Sequence, residues 1–148
     1  MKRYIQTDEL QKYIDWDNII PMSRDAGGHD SQMKGLFKNA TVIAHWNDGN
    51  WQGMVATCVK FNKGKFKNRY AIYNDYYGSC SGCDAWVSAS TDNVIKMCID
   101  LSNSAYIFNN LDDIRVFLGS NLEHENDWSS WDNPARNLLE HINNGIIE

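Results

Sequence analysis

The sequence predicts an α+β protein: a three- or four-stranded antiparallel meander packed on one face by helices. Two observations predict it. Residues 41–73 read as strands separated by two strong turn signals, whereas the stretch after residue 90 repeats its apolar residues at helical spacing. Strands in one block followed by helices in another give segregated layers rather than alternating βαβ units. The 148 residues suit one domain spanning 1–148, and 43% hydrophobic with 22% charged residues is ordinary globular composition.

The elements follow in order. Thr7 is an N-cap candidate ahead of Asp8 and Glu9, and Leu10, Tyr13 and Ile14 then form one short apolar stripe. Residues 21–32 have no period and read as a long loop, a common setting for binding elements. Thr41 to Trp46 is rich in strand formers, and Asn47-Asp48-Gly49-Asn50 marks a turn. Trp51 to Phe61 places Val55, Thr57, Val59 and Phe61 on one face and Met54, Ala56, Cys58 and Lys60 on the other. Asn62-Lys63-Gly64-Lys65 is a second turn, and Phe66 to Tyr73 a third strand, with Lys67, Arg69 and Tyr73 on one side. His45, two residues on from Ile43, is expected on the same sheet face as a hydrogen-bonded structural residue.

A helix capped by Ser90 or Thr91 carries Val94, Met97, Cys98, Leu101, Ala105 and Phe108 as its stripe. Leu111 to Leu118 is a short helix with Gly119 as its stop, and Asn133-Pro134 opens a last helix ending at Gly145. Trp128 and Trp131 lie in an acidic loop before it.

Net charge is −5, which argues against a protein built mainly to grip nucleic acid. The charge is uneven: residues 1–74 carry 11 Lys/Arg against 7 Asp/Glu, and residues 75–148 carry 3 against 12. Such asymmetry suits opposed faces, head-to-tail homo-oligomers or a charged protein partner, as well as plain solubility. No apolar run approaches the roughly 20 residues that span a bilayer, and the N-terminus has no signal-peptide core, so a cytoplasmic location is expected. Lys60, Lys63, Lys65, Lys67 and Arg69 surround the second turn with no acid between them. They read either as a basic finger or as edge lysines that deter aggregation.

One stretch is demanded by no folding rule: Asn74-Asp75-Tyr76-Tyr77-Gly78-Ser79-Cys80-Ser81-Gly82-Cys83-Asp84-Ala85-Trp86, directly after the third strand. Cys80 and Cys83 have redox-pair spacing but lack the βαβ setting of thioredoxin-like motifs. They are also half of a zinc site, whose other ligands would come from Cys58, Cys98, His29, His45, His124 and His141, none at matching spacing. In a third reading the loop is a recognition element. Gly78 and Gly82 can take positive φ, so that amides converge on an anion with Ser79 and Ser81 as donors and Asp84 as an acceptor. Tyr73, Tyr76, Tyr77 and Trp86 would stack a ring, and Lys67 and Arg69 would add positive charge. A tight corner that binds nothing stays open beside these three.

The run from Tyr77 to Trp86, with Trp51-Gln52-Gly53 opening a strand before it, resembles small uncharacterised proteins of bacteriophages and bacteria that share a Gly-Ser-Cys-Ser-Gly-Cys-Asp signature after a hairpin. The resemblance covers about residues 41–101. It brings no catalytic residues and implies a phage or mobile-element origin. By analogy, small phage accessory proteins often look like inhibitors of host systems, including proteins that trap nucleotide signals. No Walker loop, dinucleotide fingerprint, EF-hand, zinc-protease or nucleophile-elbow motif is present.

Together these readings lead to a non-enzymatic phage-type binding protein that sequesters a small anionic or nucleotide-like ligand and antagonises a host defence pathway in the host cytosol. No cofactor is expected beyond the zinc alternative. A protein-binding inhibitor acting through charged and aromatic surface, and a zinc or thiol protein, remain as alternatives.

Overall fold

The computed structural model describes residues 4–18, 33–47, 53–77, 91–123 and 132–147. The central hairpins form as the turn signals require: β2 (Ala40–Asn47) pairs with β3 (Gly53–Phe61), and β3 with β4 (Tyr70–Tyr77), all antiparallel. Two short strands extend the sheet beyond the expected three or four. β5 (Tyr106–Phe108) pairs with β4, and β1 (Tyr4–Ile5) pairs with β5, giving the order β1-β5-β4-β3-β2. Ala105 and Phe108 continue the helical spacing of the preceding stripe, so sequence periodicity hides β5. The chain leaves α1 (Thr91–Ser104) at Ser102 and Ser104, whose hydroxyls turn back onto the carbonyls of Ile99 and Leu101 at 2.8 Å.

The sheet is covered on both faces, not one. Val55, Val59, Phe61, Ala71 and Tyr73 pack with Leu10, Leu36, Phe37 and the α1 residues Val94, Cys98 and Leu101. On the opposite face Ala56, Cys58 and Ile72 meet α2 (Leu111–Glu123) through Ile114 and Leu118, and α3 (Asp132–Asn144) through Leu138 and Ile142. Residues 55–59 are therefore buried without interruption, as befits an interior strand with two covered faces. The second face of β3 reads as half-polar in sequence because Lys60 follows the small apolar residues Ala56 and Cys58 on it. Small side chains are what let two helices approach a sheet closely.

Local signals explain most boundaries. The 3₁₀ helix Glu9–Tyr13, which buries Leu10, is capped by Asp8 and not by the expected Thr7, and it has no side-chain cap bond; Thr7 Oγ1 accepts the Glu9 N–H at 3.2 Å one residue ahead of the cap. Asn110 Oδ1 accepts the Asp113 N–H at 2.9 Å and caps α2. α2 runs past Gly119, the expected stop. A helical glycine costs only about 1 kcal/mol against alanine, which is too little by itself to end a helix. α3 ends as expected at Gly145, φ +66°. The Gly145 N–H reaches the Ile142 carbonyl at 3.4 Å and the Ile146 N–H reaches that of His141 at 2.9 Å, the paired bonds of a Schellman motif. The chain then lays Ile147 parallel beside His45 on the outer edge of β2.

The third strand starts four residues later than expected. Phe66 lies not in it but in the 62–69 connection, buried against Tyr13 and Phe61. Gly64 (φ +84°) and Asn68 (φ +67°) bend this connection, and the Asn68 N–H donates to the Phe61 carbonyl at 2.8 Å. Lys67 and Arg69 therefore precede β4 and share no strand face with Tyr73.

Candidate functional site

The expected site is taken apart by the strand positions. Tyr73 sits in the middle of β4, 1% exposed. Its hydroxyl donates to the Met33 carbonyl at 2.6 Å, and its ring meets Phe37 edge-on at 5.5 Å. Tyr73 is thus a core residue and offers no stacking face. Lys67 and Arg69 lie before the start of β4, whereas Tyr76 and Tyr77 close it, opposite Met54 and Gly53. At about 3.3 Å per residue the two ends of β4 are ~23 Å apart, so one small ligand cannot touch both. Arg69 stands 5.9 Å from the Phe66 ring. Gly78, Ser79, Cys80, Ser81, Gly82, Cys83, Asp84 and Trp86 lie outside the described residues, as do the 21–32 loop, Trp128 and Trp131.

The register brings other polar residues to the end of the sheet where β4 finishes. Asn47, Val55 and Asp75 are cross-strand neighbours there. The next row inward is His45, Thr57 and Tyr73 on the same face, the one covered by α1. His45 and Thr57 are fully buried, and His45 Nδ1 lies 2.8 Å from Thr57 Oγ1. A β-bulge between Val42 and Ala44 accounts for this placement. It adds one residue to β2, so Ile43 packs on the α2/α3 face while His45 pairs with Thr57 on the other, instead of sharing a face as the period of two predicts. The signal for a bulge was absent from the sequence: no glycine marks it, and the run 41–46 reads as a regular strand.

The thiols within the described residues are chemically quiet. Burial pushes the Cys58 thiol up to about 12. Burial, reinforced by the nearby Asp75 charge, does the same for Cys98, to about 12. Both stay protonated near neutrality, and a protonated thiol is a poor nucleophile. Cys58 and Cys98 also occupy opposite faces of the sheet, so they cannot complete one zinc site together. His141 turns its Nδ1 to the His45 carbonyl at 2.8 Å. Among the described residues no three His, Cys, Asp or Glu side chains gather as ligands of a metal ion, and no helix is long and apolar enough to cross a membrane.

Chemically, the end of β4 carries an amide at Asn47 and a carboxylate at Asp75, above a hydroxyl–imidazole pair that is fully buried and bonded within itself. An amide and a carboxylate are groups that bond the edge of a polar ligand. Comparison of the chain with protein-family models, with curated proteins and with solved structures finds no match.

Proposed function

We propose that the chain is a non-enzymatic binding protein of phage type that sequesters a small anionic, nucleotide-like ligand where β4 runs out through Tyr76 and Tyr77 into residues 78–86. Its role is antagonism of a host pathway in the host cytosol. The observation that carries this reading is the register at that end of the sheet. Asn47 and Asp75 flank Val55, and Asp75 stands three positions before the Gly-Ser-Cys-Ser-Gly-Cys-Asp run. A nucleotide carries a phosphate for the glycine–serine amides, and sugar and base donors for a carboxylate and an amide. Neither Tyr73, Lys67 nor Arg69 takes part; Ser79, Ser81, Gly78, Gly82, Asp84, Tyr76, Tyr77 and Trp86 do.

A nucleotide panel screened by thermal shift and calorimetry tests this. At about 100 times Kd a ligand adds ~2.7 kcal/mol, which raises the Tm of a domain of this size by roughly 5–10 °C. Ser79→Ala and Tyr77→Ala should abolish most of that shift while leaving the ligand-free Tm within a few degrees. A panel that stabilises nothing would remove the reading.

A further inference from the structure

Lys67 and Arg69, excluded from the β4 exit, stand at the opposite end of the strand in strongly basic surroundings. Three segments meet there. The 3₁₀ helix contributes Lys12, the chain entering β2 contributes Lys38, and the 62–69 connection contributes Lys63, Lys65 and Lys67; all five are exposed. Main-chain bonds hold the segments together. The Lys38 N–H donates to the Tyr13 carbonyl at 2.8 Å, the Asn62 N–H to the Asn39 carbonyl at 2.8 Å, and the Lys65 N–H to Tyr13 Oη at 3.1 Å. Glu9 offsets one charge by bonding Lys65 at 2.6 Å, with Asp8 beside it. No acidic residue occurs between Gly49 and Asn74.

Two features make this more than a solvated hairpin. β3 and β4 are interior strands, so lysines on their connection guard no open edge, and protection against aggregation does not explain them. The connection is also rigid, because Phe66 is anchored against Tyr13 at 5.8 Å and Phe61 at 6.2 Å between ring centroids. The backbone that carries these lysines is therefore held in place, so engaging a partner orders the side chains and not the loop.

We propose that this basic end is a docking surface for an acidic segment of a protein partner. Nucleic acid fits less well for two reasons. Phe61 and Phe66 are buried and present no face on which a base could stack. The chain as a whole is at −5, with 12 acids against 3 bases after residue 74, so a long polyanion reaching past the basic end is repelled. A short acidic segment makes all its contacts within about one Debye length of the lysines. The surface lies at the other end of β4 from the proposed nucleotide site, and either proposal can fail without the other.

The test titrates the full chain into a fluorescent oligo-glutamate peptide and, separately, a mixed-sequence DNA duplex, following anisotropy. The peptide should bind at ~0.05 M ionic strength, and its affinity should fall about tenfold or more at ~0.3 M. The triple variant K38Q/K63Q/K67Q should lose about tenfold in affinity, and each of K63Q and K67Q alone about two- to threefold, with K96Q on α1 unchanged. Circular dichroism and urea unfolding report whether each variant keeps its fold; the single variants carry the test if the triple does not. Absence of peptide binding, indifference to these substitutions, or a duplex that binds more tightly than the peptide would each overturn the proposal.

Discussion

Gly64→Ala is the substitution whose cost can be built most completely from the geometry. Residue 64 has φ +84°, and a Cβ placed there stands 2.8 Å from both Cε1 and Oη of Tyr13. The left-handed backbone alone costs an L-residue about 1–2 kcal/mol. The added methyl must also displace the Tyr13 ring. That ring packs against Phe61 and Phe66 and accepts the Lys65 N–H, so its displacement forfeits about 1 kcal/mol for the hydrogen bond and ~0.5–1.5 for ring packing. The total is about 2.5–4.5 kcal/mol. Gly145→Ala supplies the control: φ is +66°, yet a Cβ there meets nothing within 4 Å. It pays the backbone cost alone, about 1–2 kcal/mol. Both substitutions restrict the unfolded chain alike, so that contribution cancels in the comparison. Urea unfolding of the two variants beside the parent measures the difference, expected near 2 kcal/mol with unchanged m-values. Equal losses would show that Tyr13 is not a fixed wall against residue 64. The rigidity attributed to the basic end would then be lost with it.

Two further outcomes follow from buried groups. Tyr73→Phe removes the donor to the Met33 carbonyl and should destabilise by about 1–2 kcal/mol while leaving nucleotide binding unchanged; a loss of binding without a loss of stability would restore Tyr73 to the site. With Cys80 and Cys83 replaced by serine, a thiol–disulfide reagent at pH 8 should label Cys58 and Cys98 only as fast as the protein unfolds. Because their folded values lie near 12 against 9.0 ordinarily, the stability they contribute is complete below about pH 9 and is lost as pH rises towards 12. Rapid labelling of the native variant, or alkaline stability identical in a variant that also lacks Cys58 and Cys98, would contradict this.

What could be read from the residues alone was local. Alternation placed Val55, Thr57, Val59 and Phe61 on one face of β3, Leu10 and Ile14 on the buried side of the first turn, and the end of the last helix at Gly145, because each depends on a period or on one residue's backbone preference. Three matters depended on contacts distant in sequence. β5 is three residues that mimic the end of a helix until β4 and β1 pair with it. The second covered face is settled only when α2 and α3 arrive over Ala56, Cys58 and Ile72, because the same face of β3 ends in Lys60 and the alternation does not say which helices reach it. The bulge in β2 sends His45 to Thr57 through an irregularity of hydrogen bonding that no side chain announces. The proposed ligand site was legible in the same uneven way. The unusual composition of residues 74–86 stands out in any reading, but that Asn47 shares its end of the sheet is a matter of register. A four-residue error in where β4 begins was enough to assign Lys67 and Arg69 to the wrong end. Sequence fixes what each residue prefers, whereas pairing between strands decides which residues become neighbours, and a site is made of neighbours.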